Sequence, residues 1–359
     1  MDNKRFGYID GLKGILCFIV AINHFQNLYK LPLRHHIAYA TIFNGSYAVA
    51  VFLLLSNFFI SLKIFKIESI VEIKKMIIGR YLRVSLPVFF ISLIILILYK
   101  LQLFSQYKNA VLITGGGDPA LHFNSINLFN VFINSFLRCL FKRSSDFTFV
   151  LWMLPYLFLG NLISIIIAVL IKSFDFIKAS LITIFTVYVL MINNFHSLYL
   201  VAPLGVYFGY IINKGILKAR LGYLLIMVGL YFIFIPHSHS KIELVFKSIK
   251  YYNPTVIHIF SGFLLLLGLS TIKFLKKFLE IKFFLHLGKI SLSIFLVHQL
   301  LTTSFCSIVF IKLVRYFSLT NSKIILLILY ILMTILLSSV FYSFVEQNCN
   351  KLVKKYLNN

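Results

Sequence analysis

Lys13 and His24 stand eleven residues apart in "YIDGLKGILCFIVAINHFQN", an apolar run over residues 8–27, and Asp10 lies three residues before the lysine. At about 100° per residue, eleven steps are three helical turns plus roughly 20°. On a helix the two side chains therefore share one face, about 16 Å apart along the axis. Asp10 falls within about 60° of the same stripe. An imidazole gains and loses a proton near neutral pH, so it can act as an acid or a base. Charges that face lipid cost several kcal/mol, so a stripe of this kind belongs against a bundle interior or a watery cavity. For Asp10 and Lys13 alone, an i,i+3 pair at the membrane interface with a snorkelling lysine is an equally good account. His24 would then be a polar residue near the outer headgroups. Its place on the same stripe favours function.

Three further stretches carry candidate chemistry. "GRYLRVSLP" sets Arg80 and Arg83 at i,i+3 just before an apolar segment, where two guanidinium groups on one face can hold phosphates. Anchoring by positive charge on the inner side explains the same residues. "HLGKISLSIFLVHQLL" places Ser291 and His298 within another apolar run, and Gly288 before it permits close helix packing. His298 is a second intramembrane histidine, open to a structural or a functional reading. The single tryptophan, Trp152, sits in "FVLWMLPYLF", where an interfacial aromatic belt accounts for it.

The elements that must position these groups are membrane helices. Of the 359 residues, 60% are hydrophobic and 13% charged, and the mean hydropathy is +0.93. That balance leaves too little polar surface for a soluble domain and defines a polytopic membrane protein. The first apolar run reads as a retained span, because charges lie inside it and no A-x-A cleavage site follows. A net charge of +25 raises nucleic acid as a partner. The basic residues are instead scattered in short clusters between apolar runs, as loop charges that set membrane orientation are. Cys17, Cys139, Cys306 and Cys349 lack metal-ligand spacing, so neither zinc nor a disulfide framework is expected.

Windows long enough to cross hydrocarbon fall near 8–29, 45–64, 85–103, 149–171, 177–192, 198–212, 220–236, 254–272, 283–303 and 324–344. They predict an all-α integral membrane bundle of about ten transmembrane helices, in one domain over residues 1–359. Lysine and arginine are more frequent in the alternate segments that include both termini, which places both ends in the cytoplasm. The loop at 104–148, with "TGGGDPALHF", is the long outer connection. It is either a binding segment or a plain connector.

Taken together, these stretches resemble the membrane-bound acyltransferase family 3. "YIDGLKGILCFIVAINH" is similar to that family's first helix, in which Arg or Lys precedes His at this spacing. "VFLLLSNFFISL" resembles its second-helix run, with Asn57 where a glycine is usual, and "RYLR" its Arg-x-x-Arg. "LWMLPYLF", "LGKISLSIFLVH" and "FVEQNCNKL" resemble its Trp segment, its late His helix and its closing Glu motif. The six occur in the family's order, from Asp10 to Lys351. The Glu-Glu that often follows the Trp segment is missing, with Leu157 and Phe158 near that place.

The resemblance implies transfer of an acyl group, usually acetyl from acetyl-CoA, to a hydroxyl of a surface or lipid-linked glycan in a bacterial cytoplasmic membrane. It implies catalytic work for His24 with Lys13 and Asp10, and binding of the CoA phosphates by Arg80, Arg83 and Lys13. Trp152, Ser291 and His298 become weaker candidates for lining the cavity. No metal and no nucleic acid are expected, and membrane lipid is the surrounding partner. The rival reading is a transporter or flippase for lipid-linked sugars. Related halves and paired broken helices would mark one, and no correspondence between 1–180 and 181–359 is visible.

Overall fold

The computed structural model describes residues 6–31, 42–116, 126–142, 149–193, 195–234 and 253–358, and among these every regular element is a helix. Most of the glycine-rich segment of the 104–148 loop lies outside the described residues. Among the described residues six helices, or seven if one bent pair is counted as a span, are long and apolar enough to cross a membrane. The expected all-helical membrane bundle is thus present, while a count of about ten spans is not confirmed among the described residues. The windows at 177–192, 198–212 and 220–236 do become helices, α7 (Phe176–Ile192), α8 (Val201–Lys214) and α9 (Ala219–Phe234). At 17, 14 and 16 residues they rise roughly 21–26 Å, short of the ~30 Å of hydrocarbon.

The membrane-length elements begin with α1 (Gly7–Tyr29), α2 (Gly45–Ile64) and α3 (Ile70–Lys100). α3 starts well before its apolar window, so Arg80 and Arg83 lie inside a 31-residue helix rather than ahead of one. Lys74, Lys75 and the arginines interrupt hydrophobicity without breaking helical hydrogen bonding. Between α3 and α6 (Leu154–Ile171) come α4 (Tyr107–Thr114) and the short apolar α5 (Leu128–Phe141). α10 (Pro254–Leu269) bends by 103° into α11 (Lys273–Leu279). The 283–303 window divides into α12 (Lys282–Lys289) and α13 (Ser291–Thr303), and α13 continues through α14 (Phe305–Leu313) as one span. α15 (Leu319–Phe341) passes through a π-helical turn at Tyr342–Glu346 into α16 (Gln347–Asn358).

Side chains mark where several helices start. Asn44, Asp175, Asn253 and Ser318 each accept a backbone N–H of the first turn of α2, α7, α10 and α15, satisfying donors that a helix start leaves orphaned. Pro254 adds a residue that needs no such donor at the start of α10.

The chain forms two compact units, residues 1–16, 40–74 and 156–288 in the first and 17–39, 75–155 and 289–359 in the second. In the first unit α8 lies against α2 at glycines. A Cβ on Gly205 would press on Asn57 and the Leu54 carbonyl, and one on Gly209 would overlap the Ser61 hydroxyl. Small residues let helix backbones approach, and polar side chains then bond across them. Ser164 Oγ donates to Asn57 Oδ1 at 2.8 Å, Asn57 Nδ2 donates to the Leu53 carbonyl at 2.8 Å, and Ser56 Oγ donates to Asn161 Oδ1 at 3.2 Å.

Candidate active site

In the first unit Lys13 Nζ is 2.8 Å from Asp10 Oδ1, and each side chain is 24% exposed. The ammonium also lies 4.9 Å from the centre of the Phe59 ring. Exposure of that size limits the pair to about 0–1 kcal/mol of stability. Its effect is on position. One of three ammonium donors faces Asp10 and the ring supports the cation, which leaves donors for an anion. Backbone packing fixes this part of α1. A Cβ on Gly11 would overlap the Leu279 carbonyl oxygen, one on Gly14 the Gly288 nitrogen, and one on Gly288 the Asp10 carbonyl oxygen. The spacing Gly11-x-x-Gly14 thus lets α1 touch α11 and α12 main chain to main chain.

The second unit brings the two intramembrane histidines together. The rings of His24, on α1, and His298, on α13, have centroids 5.2 Å apart and are tilted by 40°. His298 is fully buried. Its Nδ1 is 2.9 Å from the Ile294 carbonyl oxygen. A carbonyl only accepts, so Nδ1 carries the proton and Nε2 presents its lone pair. That Nε2 is buried and has no hydrogen-bond partner among the described residues. An unpaired buried acceptor costs about 1–3 kcal/mol, so a site that keeps one invites a functional explanation.

Aromatic residues on both sides of His24 hold α1 in register. Tyr330 donates to the Ala21 carbonyl at 3.0 Å and stacks on Phe25, with centroids 4.9 Å apart. Tyr29 donates to the Thr302 carbonyl at 3.0 Å. On α13, Gln299 next to His298 accepts the Val150 N–H at 2.9 Å. This bond ties down the 3-10 turn Phe149–Met153, which carries the half-buried Trp152. Ser291 is buried at the first turn of α13. Five residues before His298 on α13, Ser293 Oγ donates at 2.6 Å to Oε2 of Glu346, which is buried in the π-helical turn. Arg80 and Arg83 are half-buried on α3 beside Gly79, where the Leu357 side chain of α16 covers the backbone.

The structure therefore joins Asp10 to Lys13 and His24 to His298, the two pairs lying in different units. Arg80 and Arg83 are placed separately on α3, and Ser291 stands at the first turn of α13. Glu346, Gln299, Tyr29 and Tyr330 were not among the residues expected to form the site. Glu346 had a signal, being the sole carboxylate after Glu280. The other three have none in composition or spacing.

Apolar helices of membrane length with ionisable groups held inside them define a multi-pass membrane protein with an internal polar site. The acyltransferase domain of acyltransferase family 3 matches residues 6–343, nearly the whole chain, and the protein belongs to that family. It is a membrane acyltransferase. No curated protein and no solved structure matches the chain.

Proposed function

We propose that this protein is an O-acetyltransferase that moves acetyl from acetyl-CoA to a hydroxyl of a surface or lipid-linked carbohydrate in a bacterial cytoplasmic membrane. The observation that carries this reading is the pairing of His24 with His298, whose buried Nε2 lone pair has no partner among the described residues. Family membership supplies the reaction class, and it favours transfer over the transport of lipid-linked sugars.

In this reading the acceptor hydroxyl attacks the thioester carbonyl while an imidazole takes its proton. The tetrahedral adduct collapses with cleavage of the C–S bond. The CoA thiolate leaves and receives that proton, giving an ester and free CoA. His24 is assigned as the base, and His298 stands beside it with a second lone pair for the same hydroxyl. Arg80 and Arg83 suit the CoA phosphates by charge and forked geometry, and Lys13, positioned by Asp10, adds a third cation. Trp152 and Ser291 line the acceptor route.

The test is mass spectrometry of surface glycan from cells producing the wild type, His24→Ala, His298→Ala or Arg80→Ala, with membrane protein levels matched. Loss of one acetyl mass in the variants supports the reading and reveals the acceptor. An acetyl pattern unchanged in His24→Ala removes that residue from the chemistry. The absence of any acyl mass that depends on the wild type overturns the acetyl-transfer reading.

A further inference from the structure

In the second unit, the spans containing α3, α13 with α14, and α15 enclose a groove of about 520 Å3. Its walls include Ile91 and Leu98 of α3, Leu300 and Leu301 of α13, and Leu337 and Val340 of α15. The only polar lining side chain is Ser304, whose hydroxyl already donates to the Leu300 carbonyl at 2.6 Å. Water needs two to four polar partners, and this lining offers it no more than the lone pairs of that one hydroxyl. Left empty, its walls would forfeit dispersion contacts outright. Such walls suit hydrocarbon.

The shape narrows the choice. The lining runs from Val297 to Ile308, roughly 16 Å of helix at 1.5 Å per residue. That suits one extended chain rather than a compact molecule. The rim continues into apolar side chains that are exposed on the same helices, Phe90, Ile97, Leu336 and Phe344 among them. In a membrane protein such a surface meets the bilayer, so the groove opens onto lipid tails.

One end carries charge. Phe341, Phe344 and Val345 line the groove there, and the neighbouring Tyr342 ring has Lys289 Nζ 5.1 Å from its centre. Lys289 is exposed and forms no ion pair among the described residues. A cation held beside Tyr342, the residue next to the groove-lining Phe341, complements an anionic headgroup.

We propose that the groove binds one hydrocarbon chain of an anionic phospholipid, whose headgroup phosphate meets Lys289. The site is separate from the transfer chemistry and does not rest on it.

The experiment is native mass spectrometry of the full chain, delipidated in detergent and titrated with phosphatidylglycerol or phosphatidylcholine of identical chains. The wild type should retain one phosphatidylglycerol at collision energies that strip other adducts. Val340→Trp, at a lipid-exposed position, fills the groove and should reduce that adduct about fivefold or more. Ile94→Trp provides an independent filling variant should the first not fold. Lys289→Gln should retain a lipid but bind the two headgroups equally. Equal retention of both lipids by the wild type, or an undiminished adduct in a folded groove-filling variant, overturns the proposal. So does a co-purifying polyisoprenyl phosphate that phosphatidylglycerol cannot replace.

Discussion

The Nδ1–H of His298 is committed to the Ile294 carbonyl 2.9 Å away, one turn back on its own helix, which turns the bare Nε2 toward the protein interior. His298→Phe retains a ring of similar bulk and removes that lone pair. Acyl transfer should fall about 10²-fold or more while the protein remains folded in the membrane. Rates from purified enzyme with radiolabelled acetyl-CoA would show it. A rate within a factor of two of wild type would leave His298 a packing residue.

Lys13→Met removes the cation held between Asp10 and Phe59. With Lys13 assigned to the donor as proposed, the expected kinetic effect is a raised KM for acetyl-CoA with kcat changed much less. Lys13→Arg should recover most of the KM. Thermal stability should shift by no more than about 1 kcal/mol, because the pair is partly exposed. A collapse in kcat alone would contradict binding as its task.

Gly288→Ala sets a methyl against the Asp10 carbonyl, and that neighbour is backbone rather than a side chain that can swing away. A loss of about 1–3 kcal/mol is expected, as for other overpacked contacts. Denaturation in detergent would measure it. Gly215→Ala offers a comparison with open space around the new Cβ, where the cost comes from the positive φ of 64° instead.

Glu346→Leu strips Ser293 of its acceptor in a buried setting and should cost about 1–3 kcal/mol. Glu346→Gln keeps an oxygen at that position and should cost less. If the Gln variant is as stable as wild type yet inactive, the carboxylate serves the reaction as well as the fold.

Asp175 caps α7, and the backbone N–H of Lys178 holds its carboxyl below the usual carboxylate range. A depressed folded value means that the cap contributes fully above the unfolded pKa, near 4, and is lost as pH falls through the lower folded value. Hydrogen exchange at the first amides of α7 should therefore quicken between about pH 5 and pH 2 relative to the intrinsic rate. In Asp175→Ala that pH-dependent loss should vanish.

Much of this arrangement can be read from one-dimensional pattern. The apolar run of α1 and the stripe holding Lys13 and His24 follow from period alone, as do α2 and α15. The start of α3 does not, because hydropathy falls where Lys74, Lys75, Arg80 and Arg83 enter while the helix continues. Helices such as α7 are apolar throughout yet too short to cross the hydrocarbon. His24 and His298 are each visible as polar intruders in apolar segments. Their pairing is not, since no local signal links α1 to α13, and Glu346 owes its burial to a π-helical turn without a sequence period of its own.

Helix α1 has consequences for assembly. Tyr29 meets Thr302 across 273 positions of chain, and Ala21 meets Tyr330 across 309. Contacts so distant in sequence form late and slowly. A nascent chain emerges N-terminus first, so His24 enters the membrane long before its neighbour has been synthesised. A ribosome stalled before α13 would leave a chain with its first histidine in place and no imidazole opposite it. If the two histidines work together as proposed, activity arrives only with the closing segments, as the last helices settle against the first.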